Sequence, residues 1–333
     1  SLNINIRGLS ESPTLAINER VKQMQSRGEK VYNFGLGQSP FPVPVPVVEA
    51  LRLHAHEKEY LPVKGLFPLK EAVAGFHRQK DLVEANADYV LVGPGSKELM
   101  FLLQLVFYGE IIVPTPCWVS YVPQAQILGK RVSLLHTSFE DKWHIRADRL
   151  SELLEGEKDT YRPRLLVLNY PGNPDGLTYT ANELKKIAEV AREYELILLS
   201  DEIYGQLHHR GGHVSVARFY PEGTIISSGL SKWCGAGGWR LGTFTFPRSL
   251  DWLMDAMAAV ASETYTSVSA PIQYAAIEAF RGSMVIERYL WHARRILSVL
   301  GQKCYRMLSD AGVRLHSPEG AFYMFPDFSP FAI

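Results

Sequence analysis

The apolar positions of this chain keep two rhythms in turn. Short apolar runs alternate with longer stretches in which apolar side chains return every three or four places. Tyr89 to Val92, Glu110 to Val113, Arg164 to Asn169, Leu196 to Leu199, Thr224 to Ile226 and Leu241 to Phe246 read as strands. Leu196-Ile197-Leu198-Leu199 is continuous, the pattern of a strand buried on both faces. Helical spacing predicts helices over 13–28, 46–58, 67–80, 99–108, 181–194, 250–264, 271–280 and 285–308. Pro13 and Gly28 punctuate the first of these. Thr180 and Glu183 form a capping box ahead of Leu184, Ile187, Ala188 and Ala191. A short strand is expected at 31–34, and 313–315 with 321–325 are expected to pair in a smaller α+β unit.

Strands and helices alternate from about residue 89 to residue 246, which implies an α/β fold around a mainly parallel sheet. Pro40, Pro42, Pro44 and Pro46 make a stiff, extended connector where the chain is expected to cross between domains. The expected division is 1–40 in a smaller domain, 41–270 in a large domain, and 271–333 back in the smaller one.

Ligands of open α/β sheets lie beyond the carboxyl ends of the strands. Asn173, Asp201 and Lys232 each follow a different strand by a few residues, so they should share one edge. Lys232 sits between a strand end and a Gly-rich turn, where a desolvated amine can lose its proton and form a Schiff base. Eight residues later Arg240 offers a planar fork suited to phosphate. Gly93-Pro94-Gly95-Ser96-Lys97-Glu98 joins a strand to a helix start, an arrangement that binds anions. Trp118 is either a core aromatic or a flat platform for a ring. Each signal alone also fits an ordinary turn, cap or core residue; their convergence on one edge carries the argument. A carbonyl compound that bears a phosphate is the simplest joint ligand.

Composition narrows the field. The 333 residues suffice for about two domains, and 46% hydrophobic with 21% charged residues is usual for a globular protein. A formal net charge of zero gives no electrostatic case for nucleic acid or an anionic membrane. Cys117, Cys234 and Cys304 are scattered without a CxxC pair, which argues against disulfides or a zinc site, so no metal is expected. The N-terminal residues lack an apolar signal core and no run spans a bilayer, so a cytoplasmic location is expected.

In order along the chain, Tyr60 with Gly65, Gly95-Ser96-Lys97, Pro116-Cys117-Trp118-Val119-Ser120-Tyr121, Asn173-Pro174-Asp175-Gly176, Asp201-Glu202-Ile203-Tyr204, Ser231-Lys232 with Gly238-Trp239-Arg240-Leu241-Gly242, and Gly320-Ala321-Phe322-Tyr323 resemble the class I/II aminotransferases of fold type I. The resemblance implies a seven-stranded, mainly parallel sheet flanked by helices and a smaller α+β domain built from both chain ends. It implies pyridoxal 5′-phosphate as cofactor, held by Lys232 as an internal aldimine, with Lys232 then shuttling the substrate proton. Asp201 would pair with the pyridinium nitrogen, Asn173 and Tyr204 with the ring oxygen, and Trp118 with the ring face. Gly95, Ser96, Lys97, Ser231 and Arg240 would surround the phosphate, and Tyr60 would reach the neighbouring subunit of a homodimer. Gly37 would lie near the substrate α-carboxylate, with Lys97, Trp118 and Asn173 also facing substrate.

Three departures stand out. Gly229 occupies a position where many relatives place a phosphate-binding serine, leaving Ser231 or Ser228 as substitutes. Asp175 replaces a commoner threonine at a place expected to face away from the ring. The family arginine for the substrate α-carboxylate belongs to a segment beyond the position of Ile333, and a further tail is expected to carry it. Lys97 resembles the distal-carboxylate lysine of an aspartate and prephenate subgroup. An acidic amino donor is therefore ranked ahead of an aromatic one, with 2-oxoglutarate as acceptor. A pyridoxal-phosphate carbon–sulfur lyase and a cofactor-binding regulatory module without turnover are the alternatives.

Overall fold

The computed structural model describes residues 1–35, 37–156 and 161–331. Seven strands form one sheet in the order β1-β7-β6-β5-β4-β2-β3. They are β1 (Val90–Gly93), β2 (Glu110–Thr115), β3 (Val132–His136), β4 (Arg164–Asn169), β5 (Ile197–Asp201), β6 (Thr224–Gly229) and β7 (Gly242–Thr245). β3, β2, β4, β5 and β6 run parallel, and β7 lies antiparallel between β6 and β1.

Helices cover both faces, and the strand pattern says why. In β4, Leu165 and Val167 pack into one apolar cluster while Leu166 and Leu168 pack into another. That is period-two alternation with both faces dry. The first cluster is closed by α4 (Ser96–Val106), α5 (Tyr121–Ile127) and α8 (Asp251–Ser262). The second is closed by α6 (Ala147–Glu155) and α7 (Ala181–Glu193), whose capping box forms as expected. A third cluster joins Val90 and Val92 to α2 (Val45–Leu53), α3 (Phe67–Phe76), α9 (Ala270–Arg281) and α10 (Met284–Asp310). The remaining helix, α1 (Pro13–Ser26), buries only Val21. Among the described residues no helix is long and apolar enough to cross a membrane.

The register lines up the carboxyl ends. Asn169 pairs with Asp201, Asp201 with Ser227, Gly229 with Gly242, and Gly242 with Gly93. These residues fall on two rows two residues apart along β6, so one edge of the sheet carries them all.

Several expectations need correction. Residues 31–34 form no strand. Residues 313–315 and 321–325 do not pair with each other; Arg314 bridges to Asp327 and Gly320 to His208, each as an isolated contact. The helix expected over 99–108 begins three residues earlier, so Ser96 and Lys97 lie in its first turn. β3, α5 and α6 were not anticipated.

Candidate active site at the carboxyl edge of the sheet

Lys232 follows β6 at the third residue beyond its end, and its Nζ donates to the Gly37 carbonyl at 2.7 Å. Burial brings its pKa down to about 8; Asp201 opposes the shift, while Arg240 and Lys97 reinforce it. The same Nζ lies 5.5 Å from the Tyr204 ring centroid. A side chain on Gly37 would displace Tyr323: a Cβ there would sit 1.9 Å from the Tyr323 hydroxyl oxygen.

Asp201 closes β5 and is 4% exposed. Its carboxylate accepts from the Tyr121 hydroxyl at 2.6 Å and from the Ser227 hydroxyl at 3.2 Å. Burial raises its pKa to about 6, and the two hydroxyls and Lys232 pull it back. A carboxylate so placed is ready for a cationic partner, because an unpaired buried charge is costly. Next to it in the register, Asn169 donates from Nδ2 to the Asp201 carbonyl at 2.9 Å and accepts from the Asn173 backbone N–H at 2.8 Å. Asn169 thus ties the Asn173 loop to the strand that carries Asp201. The Tyr204 and Tyr323 hydroxyls lie 2.8 Å apart.

The opposite end of the site is cationic. Gly95 caps α4 with φ +94°, and a Cβ there would meet the Arg240 Nη2 at 2.2 Å. Arg240 itself has left-handed backbone, with its Nη1 donating to the Gly237 carbonyl at 2.9 Å. Lys97 Nζ stands 5.1 Å from the Trp118 ring centroid, and Trp118 meets Tyr121 edge-on at 5.3 Å. Burial and Arg240 both depress the Lys97 pKa. Arg240 and Lys97 gather at the N-terminus of an eleven-residue helix, where backbone N–H groups are also free, and they repel each other and the Lys232 amine. An anion of about two negative charges relieves both. With an acid at one end, a depressed lysine in the middle, and an indole between Lys97 and the Tyr121 that binds Asp201, the residues fit pyridoxal phosphate.

Ser231 lies against Gly237, the glycine that anchors Arg240, whereas Ser228 is buried on β6 and lines a cavity with His77 and Trp233. A side chain at Gly229 has no room, since a Cβ would lie 2.8 Å from the Leu241 carbonyl oxygen. Tyr60 is 89% exposed and, among the described contacts, touches none of these site residues. Sequence reasoning gave no role to Tyr121, Ser227 or Asn169. Tyr121 stood in a quoted motif, three residues past Trp118, and the unforeseen start of α5 is what turns it toward Asp201. Asp175 is the residue that replaces a commoner threonine in the Asn173 loop. It lines a cavity with Cys117, Tyr121, Asn169 and Asn173, and burial raises its pKa to about 7. Behind Asp201, Glu202 is paired with His213 at 2.7 Å and Asp81 with His77 at 2.7 Å.

Comparison with known proteins agrees with this geometry. The family model for "Aminotransferase class I and II" matches residues 29–332. An aspartate aminotransferase of Geobacillus stearothermophilus is 32% identical over 333 residues, covering 97% of this chain and 82% of that one. The aspartate/prephenate aminotransferase of Thermus thermophilus is 30% identical over 336 residues, covering 99% of this chain and 85% of that one. The solved structure of a Thermus thermophilus aspartate aminotransferase with maleate superimposes with a TM-score of 0.92 at 28% identity, covering 99% of this chain and 86% of that one. The chain therefore belongs to the class I and II aminotransferases, transferases that use pyridoxal 5′-phosphate.

Proposed function

We propose that this aminotransferase takes its amino group from an acidic L-amino acid, in preference to an aromatic one, and passes it to a 2-oxo acid such as 2-oxoglutarate. The observation that carries the reading is Lys232, a lysine with its pKa brought to about 8, set between Asp201 and the Arg240–Lys97 pair. Lys232 would hold the cofactor, Asp201 its ring nitrogen, Asn173 and Tyr204 its ring oxygen, and Trp118 its face. Arg240, Ser96, Ser231 and the backbone at Gly95 and Lys97 would hold its phosphate. Bound pyridoxal phosphate supplies an electron sink for the charge left when the substrate α-carbon loses its proton. Lys232 Nζ takes that proton, and its depressed pKa leaves a neutral fraction at neutral pH. Gly37, whose carbonyl already accepts from Lys232, lies where the α-carboxylate would approach.

Lys97 supports the acidic preference. It stands beside Trp118 with a depressed pKa and no paired carboxylate among the described contacts, so a distal substrate carboxylate would relieve it. The relatives named for aspartate point the same way. A homodimer in which Tyr60 completes the neighbouring site, and a cytoplasmic location, belong to the same reading. So does a smaller domain from 1–40 and 271–333, whose two parts meet where Tyr323 touches Gly37. The test is Lys97→Ala assayed with aspartate and with phenylalanine. KM for aspartate should rise about tenfold, the worth of one charge-assisted hydrogen bond, with little change for phenylalanine. An equal effect on both donors would remove the argument for an acidic substrate.

A further inference from the structure

Tyr323 is positioned from three directions. A Cβ on Gly37 would lie 1.9 Å from its hydroxyl oxygen, so that hydroxyl rests against the Gly37 α-carbon. A Cβ on Gly176 would lie 2.3 Å from its backbone oxygen, and the N–H groups of Glu319 and Gly320 donate to the Gly176 carbonyl at 2.8 and 3.0 Å. The C-terminal segment is thereby pinned to the loop that carries Asn173. Third, its hydroxyl lies 2.8 Å from that of Tyr204, with the two rings edge-on at 5.4 Å.

A phenol has one hydrogen to give. If Tyr204 donates its hydrogen to the cofactor ring oxygen, it has none left for Tyr323, and the 2.8 Å contact must run the other way. We propose that Tyr323 is a positioning residue that donates to the Tyr204 oxygen and so commits the Tyr204 hydrogen to the cofactor. Chained hydrogen bonds polarise one another, so the same contact makes Tyr204 the stronger donor. The inference rests on the reading of this site as a pyridoxal phosphate pocket.

The pH titration of the visible absorbance band of the cofactor-loaded protein reads this directly. Donation to the ring oxygen favours its anionic form and lowers the midpoint of that titration. Tyr323→Phe should raise the midpoint by about half a unit to one unit, the worth of one weakened hydrogen bond, and loosen cofactor binding severalfold. Tyr323→Met, which fills the space without a donor, should do the same and serves if the phenylalanine variant does not fold. Because Tyr323 acts through Tyr204, adding Tyr323→Phe to Tyr204→Phe should move the midpoint no further. An unchanged midpoint in the single variants, or additive shifts in the double, overturns the inference. Lys232→Ala separates the two levels. If the wild-type band does not depend on Lys232, the pocket reading falls and takes this proposal with it; if it does, only the Tyr323 assignment is at stake.

Discussion

At the scale of single residues, the site is a set of groups held away from their ordinary protonation. Asp201 is the most exposed to loss of a neighbour. Tyr121 supplies its shortest hydrogen bond and holds down a pKa that burial has raised to about 6. Tyr121→Phe should cut kcat/KM about tenfold or more and move the acid limb of its pH profile upward, since Asp201 would then protonate earlier. Asp175 is shifted the same way, and further. Burial raises it from 3.8 to about 7, so the folded protein holds its proton more tightly than the unfolded chain. Its ionisation costs nothing below pH 3.8, costs more as pH rises, and reaches its full cost above 7. Asp175→Asn should therefore gain stability over the wild type across that interval, read by thermal unfolding at each end of it. A constant difference would mean that Asp175 does not titrate there. The shared edge of Asn173, Asp201 and Lys232 was legible because each lies at or just past the end of a strand, closely enough for topology alone to place it. The partners of Asp201 were not. Tyr121 and Ser227 reach it through register and helix start, which spacing along the chain does not encode.

At the scale of elements, reading failed where the physical signal is weak. β3 lies at the sheet edge with one of its five residues buried, so its pattern lacks an apolar run. α5 is seven residues with a proline inside. α7 is the contrast: a capping box and a full apolar stripe gave both its ends to within a residue. Thr180→Ala should cost about 1 kcal/mol in chemical denaturation, the usual worth of such a cap. A larger element-level effect comes from the ion pair that joins the end of β5 to the loop after it. Burial alone would raise the Glu202 carboxyl, but His213 and the Ser215 and Ser200 hydroxyls hold it below its ordinary value. Burial would lower His213, but Glu202, with Asp81 behind it, holds it above. Tyr170 and the Asp81–His77 pair complete the surroundings. The Glu202 contribution is in place above 4.5 and is lost as pH falls through its lowered folded value. The His213 contribution is full below 6.5 and fades as pH rises through its raised folded value. His213→Gln should destabilise most between those two limits, by about 3 kcal/mol as a buried pair is broken, and less in alkali. A pH-independent loss would assign the effect to packing.

At the scale of the whole molecule, the fold sets three connected strand ends, an antiparallel β7 and the chain's two terminal regions around one pocket. Tyr60, left 89% exposed, is the one proposed site residue outside it. If it serves a neighbouring subunit, mixing inactive Lys232→Ala protein with Tyr60→Ala protein and allowing exchange should restore activity, because hybrid dimers contain one intact site. Activity equal to the average of the separate variants would argue against a shared site. The central claim is that Lys232 and its surroundings carry out amino transfer, and the visible spectrum of the purified, cofactor-loaded protein tests it most directly. Adding aspartate should abolish the visible band and adding 2-oxoglutarate should restore it, with neither change in Lys232→Ala. A band that no amino acid alters, or one that Lys232→Ala leaves as it was, would contradict the account.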